Sequence, residues 1–307
     1  MPSVAISFKR WLRNARSPFR RFRFAHAHGV NTLYKFKGYS GEQRRHVLQI
    51  LQHHEIYFSS LLELNDPFDM RPAIRSAWNL NRPGGRRRYI DACEQMMRDH
   101  RPPLPADKLA QELLSLQSQD LHAHAREAAR NVRASLVQFP IFCLSATREP
   151  ILSWAHYADQ HRGVCIHFDA RRGIQSPFCF ARRVIYSRRR PIFEIPLLPR
   201  DKFTIANGVG LTKHTGWSYE DEFRLLSNPD SLHGFLSRQG RFASFDARFV
   251  IGLTLGANMP EECQHELIAL ASAHTPAIPV WRAHIHARHF RMTFERVGSG
   301  TGPVFAL

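Results

Sequence analysis

The pattern of apolar and polar positions predicts a chain that mixes helices with short strands. Apolar spacing of three and four predicts a helix over 41–53 that Ser40 and Gln43 begin as a capping box. A second helix is predicted over 150–160, ended by Gly163 in a left-handed cap, and a third after Pro260. Strands are predicted by apolar, β-branched or alternating segments at 33–36, 56–58, 139–144, 164–168, 217–226, 249–253 and 278–281.

The segment 72–138 has a different composition. Proline and glycine separate stretches of helical spacing that contain almost no β-branched runs, so we expect two or three helices with a solvated Arg- and His-rich face. The fold class expected is α+β, with a central mixed or antiparallel sheet. Residues 31–307 are expected to form a single domain with a helical insertion at about 72–138, preceded by a basic arm at 1–30.

The charge balance points to anionic partners. The 307 residues contain 43 Lys and Arg against 26 Asp and Glu, a formal charge of +17. In the arm, arginines alternate with Trp11, Phe19, Phe22 and Phe24, a composition that favours binding of nucleic acid or an acidic protein. Two alternatives remain. The high positive charge would reflect an Arg-rich genome, and the arm would be a tail that has no partner.

Cysteine usage and hydropathy give the expected compartment. The five cysteines form no C-x-x-C pair, which argues against a disulfide framework or a thiolate zinc site. No apolar run reaches the length of a membrane span, so we expect a cytoplasmic protein, with the oligomeric state left open. The P-loop, dinucleotide-binding, nucleophile-elbow and zincin motifs are all absent from the sequence.

The acidic segment 217–224 is the first candidate for chemistry. As a strand, it would place Glu220, Glu222 and Arg224 on one face, with the acids about 7 Å apart. Repulsion would raise one carboxyl pKa while the arginine keeps the other carboxyl ionised, a combination that suits proton transfer beside electrostatic stabilisation. The alternative is a cross-strand salt-bridge ladder.

Ser145 and the helix that follows it are the second candidate. Ser145 ends a predicted strand, and Trp154 and Tyr157 lie three apart on one face of the helix. The two aromatic residues would either clamp a planar heterocycle or belong to the core.

The turn at 65–69 is the third candidate. Asn65 and Asp66 suit the turn itself, and with Asp69 they would also suit binding of a ribose diol. The histidine groups at 26–28 and 284–289 lack acidic neighbours, so we predict no metal site there.

A set of ordered segments resembles an uncharacterised prokaryotic family, domain of unknown function 2971. The resemblance spans most of 33–291 and is most specific in N-D-P-F-D at 65–69 and W-x-Y-E-x-E-x-R at 217–224. Leu33-Tyr-Lys-Phe36, Cys143-Leu-Ser145, Trp154-Ala-His-Tyr157 and Gly163-Val-Cys-Ile166 lie in the same order between and around them. The family name implies no activity.

A weaker likeness is to ADP-ribosyltransferases. It lies in the order of a polar residue on an early strand, a serine ending a middle strand and a late E-x-E strand. Where those enzymes usually carry Arg or His, this chain has Tyr34 and Lys35. The likeness implies a split-sheet fold, NAD as a substrate, Glu222 as the catalytic carboxylate and Glu220 as the group that orients or deprotonates the acceptor.

The remaining implied roles concern the cofactor. Trp154 or Tyr157 would stack on nicotinamide, and Lys35 and Arg224 would neutralise the pyrophosphate. Ser145 would be the serine that ends the middle strand in this likeness. The function expected is that of an NAD-dependent ADP-ribosyltransferase-like enzyme, and a toxin or defence effector is one role that such an enzyme would have. The alternatives are a non-catalytic nucleic-acid-binding protein and a metal-dependent hydrolase or nuclease. The latter would hold a divalent ion with Asp66, Asp69, Glu220 and Glu222. The enzymatic interpretation requires Glu220, Glu222, Ser145 and Tyr157 to share one solvent-reachable cavity.

Overall fold

A computed structural model describes residues 24–99, 104–118, 120–137, 139–171, 176–196, 208–226 and 237–297. Most of the predicted basic arm, residues 1–23, lies outside the described residues. Within the described part, no helix is long and apolar enough to cross a membrane.

One eight-stranded sheet dominates the fold, in the order β15-β14-β13-β5-β1-β4-β10-β6. Strands β13 and β14 pair in parallel and the other neighbours are antiparallel, so the sheet is mixed. The α+β class is therefore confirmed, whereas the split sheet of an ADP-ribosyltransferase is not. The strands are β1 (Thr32–Lys37), β4 (Ile141–Ser145), β5 (Val164–Asp169), β6 (Arg182–Arg183), β10 (Glu222–Leu226), β13 (Val250–Leu255), β14 (Val280–Ile285) and β15 (Met292–Val297).

Three small sheets accompany the large one. A three-stranded sheet joins β2 (Glu55–Tyr57), β12 (Phe242–Ser244) and β11 (Ser237–Gln239). Two parallel pairs are β3 (Ala73–Ser76) with β8 (Ile192–Ile195), and β7 (Ile185–Ser187) with β9 (Thr212–His214). The last pair brings the middle of β9 next to the start of β10 in the large sheet.

Six helices lie wholly within the described residues. They are α1 (Gly41–His53), α2 (Pro83–Arg98), α3 (Ala106–Ser118), α4 (Leu121–Val137), α5 (Ile151–Tyr157) and α6 (Glu261–Ala273). Helix α1 has the predicted ends, although the side chain of Gln43 accepts from the backbone N–H of Gly38 instead of forming a box with Ser40. Three helices follow one another in the predicted helical region, which starts at Pro83 because β3 occupies 73–76. The single-domain organisation stays a prediction.

The main core joins the large sheet to α1 and α6. It is rich in phenylalanine, and the Phe168 and Phe178 ring centroids lie 4.3 Å apart. Each fully buried Phe contributes about 1.5–3 kcal/mol of burial free energy. Every residue of β5 is buried, as expected for a strand between two neighbours and beneath helices. This rigid centre positions β1, β4 and β10, whose ends carry the polar site.

The predicted strand over 217–226 is wrong in its first half. Residues Thr215–Glu220 form a 3-10 helix, Asp221 has a left-handed φ of 39°, and only Glu222–Leu226 is strand. The ring of His214 accepts from the N–H of Gly216 and starts the turn. The alternation of Trp217 and Tyr219 thus comes from a tight helical turn. Over so few residues, an alternating pattern does not distinguish such a turn from a strand.

The end of α5 also differs from the prediction. The helix stops at Tyr157, and Asp159, Gln160 and His161 take the left-handed φ values that had been expected at Gly163. Gly163 is required for another reason, because a Cβ there would lie 2.1 Å from the carbonyl oxygen of Lys37. The chain therefore turns without a glycine cap and then passes close against β1.

Candidate functional site

A buried network of three acids and two cations lies where β9 and β10 meet the 65–69 turn. Asp69, Glu220, Glu222, Lys213 and Arg224 are each between 0 and 6% exposed. At this burial, unpaired charges would cost several kcal/mol each, so the network is stable only if the charges neutralise one another. With all groups ionised, three carboxylates face two cations, and one carboxylate is in excess.

Arg224 holds the centre of the network. Its Nε and Nη2 donate to Glu222 at 2.7 and 3.0 Å, and its Nη1 and Nη2 donate to Asp69 at 3.0 and 2.6 Å. Nη1 also donates to the Gly210 carbonyl at 2.8 Å. A guanidinium has five N–H groups, and all five are used here. The predicted contact of Arg224 with a pyrophosphate is therefore wrong, because the side chain is fully buried and has no donor left.

Lys213 joins the two glutamates, and the sequence analysis missed it. Its Nζ donates to Glu222 at 3.0 Å and also contacts Glu220, and it lies 5.0 Å from the centroid of the Trp217 ring. Burial favours the neutral amine, but Glu222 and Glu220 outweigh this effect and raise the lysine pKa above its ordinary value. The available signal was a single lysine after the apolar run Val209–Leu211, on a segment that precedes the acidic motif.

Glu220 and Glu222 are driven to opposite pKa values. Burial and the neighbouring charge of Glu222 raise the pKa of Glu220, although Lys213 and Tyr157 bond to it. Burial also disfavours the charged form of Glu222, but Arg224 and Lys213 dominate and hold its pKa well below the usual range. Glu220 is thus the carboxyl that exchanges protons most readily, while Glu222 stays ionised.

Tyr157 reaches the network from α5. Its hydroxyl donates to Glu220 Oε1 at 2.6 Å and accepts from the side-chain amide of Asn65 at 3.3 Å. Burial raises the pKa of Tyr157, so the phenol remains a donor at neutral pH. The chain Asn65–Tyr157–Glu220 therefore fixes one oxygen of the carboxyl group while Lys213 fixes the other.

A cavity of about 690 Å³ opens onto this network. Glu220, Glu222, Lys213, Tyr157 and Ser145 all line it, so the predicted meeting of two acids, a serine and a tyrosine around one cavity is present. From β1 and α1 come further lining side chains with cationic or ring nitrogens, namely Lys35, Lys37, Arg45 and His46. From the β2 region and β12 come Tyr57, Glu63, Asn65, Asp69 and Phe242.

The two lysines of β1 have an unusual environment. Lys35 Nζ donates to the Cys143 carbonyl at 2.8 Å and lies 4.8 Å from the centroid of the Phe142 ring. Burial lowers the pKa of Lys35. Burial and the charge of Lys35 lower the pKa of Lys37 to about 8. Both amines would therefore gain from an anion in the cavity, which favours their charged form.

Ser145 serves the backbone of the site. It lies opposite Tyr34 of β1 and opposite Glu222 of β10 in the sheet register. Its hydroxyl proton is shared between the Glu220 carbonyl at 2.6 Å and the Thr147 carbonyl at 2.8 Å, and its oxygen accepts from the Thr147 N–H at 3.1 Å. This serine therefore positions Glu220. Its hydroxyl proton is bonded to backbone carbonyl oxygens and not to a base, so the serine is not activated as a nucleophile.

Trp154 does not reach the cavity. Its indole is completely buried against Phe36, with ring centroids 5.1 Å apart, and its Nε1 donates to the Arg148 carbonyl at 2.8 Å. The predicted stacking of Trp154 on nicotinamide is therefore wrong, because the ring is a core residue with its one donor satisfied. Helical spacing placed Trp154 and Tyr157 on one face, but only Tyr157 lines the cavity.

The 65–69 turn divides its polar residues between two tasks. Asp66 accepts from the Phe68 N–H at 2.8 Å and is buried within the turn, away from the cavity. Asn65 and Asp69 both line the cavity. Asn65 donates to the Tyr157 hydroxyl, and Asp69 accepts from Arg224. The predicted ligand contact of Asp66 is therefore not formed, since its carboxylate maintains the local backbone.

The acids suggested for a divalent ion are held by cations of the protein itself. Arg224 and Lys213 occupy the oxygens of Asp69 and Glu222, and Asp66 is used by the turn. Across the described ranges, no group of three or more His, Cys, Asp or Glu side chains is arranged to hold a metal ion. The metal-dependent hydrolase alternative stays a prediction.

Comparison with known proteins gives a match over part of the chain. No curated protein and no solved structure matches the sequence. One family model does match, at residues 153–225, a span that includes Tyr157, Lys213, Glu220, Glu222 and Arg224. The model is that of the family described as protein of unknown function (DUF2971), the family that the sequence motifs resemble.

Proposed function

We propose that the chain is an enzyme that cleaves the nicotinamide–ribose bond of NAD and transfers the ADP-ribosyl group to an acceptor, with Glu220 as the reacting carboxyl group. The observation that carries the proposal is the position of Glu220 on the cavity lining, with one oxygen bonded to Tyr157 and the other to Lys213. The proposal depends on this cavity and not on the sheet, which is one continuous eight-stranded layer.

The cavity suits a dinucleotide in size, and part of its lining carries cations that suit phosphate groups. Ligand sites commonly enclose about 300–1,000 Å³, and this one encloses about 690 Å³. Lys35, Lys37 and Arg45 line it and would neutralise a pyrophosphate, a role that the sequence analysis gave to Lys35 with Arg224. The rings of Tyr57, His46 and Phe242 supply flat apolar surface, with His46 stacked on Tyr57 at 4.9 Å.

The proposed chemistry is a substitution at the ribose C1′. The bond from C1′ to the nicotinamide nitrogen breaks, and neutral nicotinamide leaves with the electron pair. The oxocarbenium-like centre gains from the excess negative charge of the network. The acceptor oxygen or nitrogen then bonds to C1′, and its proton passes to Glu220, whose raised pKa makes it a stronger base than an ordinary carboxylate.

Glu222 has a supporting role in this proposal, although the sequence analysis made it the catalytic carboxylate. Arg224 and Lys213 occupy both of its oxygens, and the Cys143 thiol also bonds to it. A carboxylate neutralised by two cations offers little stabilisation to a further positive centre. Glu222 therefore holds Lys213 in place, and Lys213 in turn orients Glu220.

Label transfer from NAD tests the proposal. The full-length protein is incubated with NAD labelled in the adenylate phosphate, together with total cellular RNA, DNA and protein as acceptors. We expect label on one acceptor class, and a loss of about 100-fold or more in Glu220→Gln. Glu261→Gln, on the exposed surface of α6, is the matched control and should keep the wild-type rate. Equal label transfer by wild type and Glu220→Gln would exclude the proposed role.

A further inference from the structure

A stripe of arginines lies on α4, a helix that contributes no residue to the lining of the NAD cavity. Arg126, Arg130 and Arg133 are spaced by four and three residues, so they share one face of the helix. Their axial positions differ by about 6 and 4.5 Å. The adjacent stripe, Ala125 and Ala129, is buried in the core of the helical region. The arginine stripe is thus exposed at the edge of a well-packed helix.

The stripe borders a second cavity, of about 470 Å³. Strand β3 and the segment that follows it supply the other side, with Arg75 from the strand and the partly buried ring of Trp78 from the segment. His122 completes the polar lining and contacts the Asn81 side chain at 3.0 Å. We call this cavity the α4–β3 groove. It presents four arginines, one histidine and an aromatic face along a single surface.

The charges of the α4–β3 groove are only partly neutralised. Arg75 pairs with Glu194 at 2.7 Å, and Arg126 lies 3.7 Å from Asp120. Arg130 and Arg133 are exposed, and neither has an ion pair with any acid in the described ranges. Among the described residues, no acidic side chain lines the groove itself. Two guanidiniums next to each other at the surface therefore favour an anion that supplies at least two charges.

We propose that the α4–β3 groove binds single-stranded nucleic acid. Arg126, Arg130 and Arg133 would contact successive phosphates, while a base would stack on Trp78. Sites of this kind combine a basic channel with an aromatic face on which bases stack. An acidic peptide would use the arginines equally but would gain nothing from the indole, which is why nucleic acid is the occupant favoured. The site is separate from the NAD chemistry and does not depend on it.

Binding of a labelled single-stranded DNA of about 12 nucleotides to the full-length protein tests the proposal. Affinity is measured by fluorescence anisotropy at several salt concentrations, for wild type and for Arg130→Ala/Arg133→Ala. The matched control is Arg288→Ala/Arg291→Ala, which removes the same charge from an exposed turn after β14. Each phosphate contact to a single strand contributes about 0.7 to the salt slope, so loss of two should lower the slope by about 1.4.

The expected result is a loss of affinity of tenfold or more in the groove pair, with less than a twofold change in the control pair. Tryptophan emission should be quenched on binding in wild type and much less in Trp78→Phe, which retains apolar packing. Equal losses in the two pairs would show attraction by net charge alone and would overturn the proposal. Equally tight, groove-dependent binding of poly-glutamate without quenching would overturn it in favour of an acidic protein partner.

Discussion

Arg224 and Asp69 form a two-pronged ion pair with N–O distances of 2.6 and 3.0 Å, although they lie 155 residues apart in the chain. The pair ties the 65–69 turn to β10 and leaves no water-exposed charge on either partner. Glu222 would still compensate the Arg224 charge if Asp69 lost its own, but a guanidinium N–H would lose its acceptor, and a buried donor without a partner costs about 1–3 kcal/mol.

Asp69→Asn should therefore lower the free energy of unfolding by about 1–3 kcal/mol, measured by denaturant titration. Asp66→Asn is the control, since asparagine keeps the oxygen that accepts from the Phe68 N–H. It should change stability by less than about 1 kcal/mol. Similar losses in the two variants would contradict the central place of the Arg224–Asp69 pair.

Gly163→Ala should destabilise the fold, because the added Cβ would meet the Lys37 carbonyl oxygen at 2.1 Å and the Ala158 backbone at 2.9 Å. The expected cost is at least about 1–3 kcal/mol, as for overpacked sites, and it is measured by thermal unfolding. Gly84→Ala is the control, since it lies near the start of α2 with nothing within 4 Å of the new methyl. That substitution should leave stability unchanged or raise it by up to about 1 kcal/mol.

Trp154→Phe should affect stability and Tyr157→Phe should affect activity, although the two residues lie on one short helix. The first leaves the buried Arg148 carbonyl without its donor, which costs about 1–3 kcal/mol of stability. It should leave the KM for NAD unchanged at temperatures where the protein is folded. Tyr157→Phe removes the donor to Glu220 and should lower kcat about tenfold or more with little loss of stability. A raised KM in Trp154→Phe would restore the indole as a ligand contact.

Lys37 gives the cavity a pH dependence. Its pKa of about 8 lies below the ordinary value, and a bound phosphate would raise it by favouring the ammonium. The affinity for ADP-ribose, followed by calorimetry, should therefore fall as pH rises above about 8, by up to about tenfold per pH unit. Lys37→Arg keeps the charge at all these pH values and should weaken the dependence. An unchanged slope in that variant would exclude Lys37 as a phosphate contact.

The same shift acts on stability with the opposite sign. Between pH of about 8 and the ordinary lysine pKa, the unfolded chain binds more protons at this position than the folded one. Without ligand, the contribution of Lys37 to the free energy of unfolding should thus rise with pH in that window, as measured by denaturant titration. Lys37→Met removes the titrating group and should abolish that contribution. A contribution that falls with pH would contradict the pKa assigned here.

Local signals were sufficient to predict α1, the central strands and the helical region, because periodic apolar faces and breakers act over a few residues. The acids of 220–224 do meet, but through a 3-10 turn and not through a strand face. Lys213 was not predicted because its role depends on tertiary structure. Strand β9 pairs with β7, and this places Lys213 next to Glu222 of β10. Trp154 was misplaced because helical spacing shows which residues share a face but not what that face contacts.

Release of free nicotinamide from NAD tests the central claim most directly, because it requires no knowledge of the acceptor. Wild type, Glu220→Gln and Glu261→Gln are compared at equal folded concentration, established from their unfolding curves. The account predicts nicotinamide release by wild type and Glu261→Gln, and release reduced about 100-fold or more in Glu220→Gln. Undiminished release by Glu220→Gln, or no release by wild type, would contradict the claim that Glu220 is the reacting group of an NAD-cleaving site.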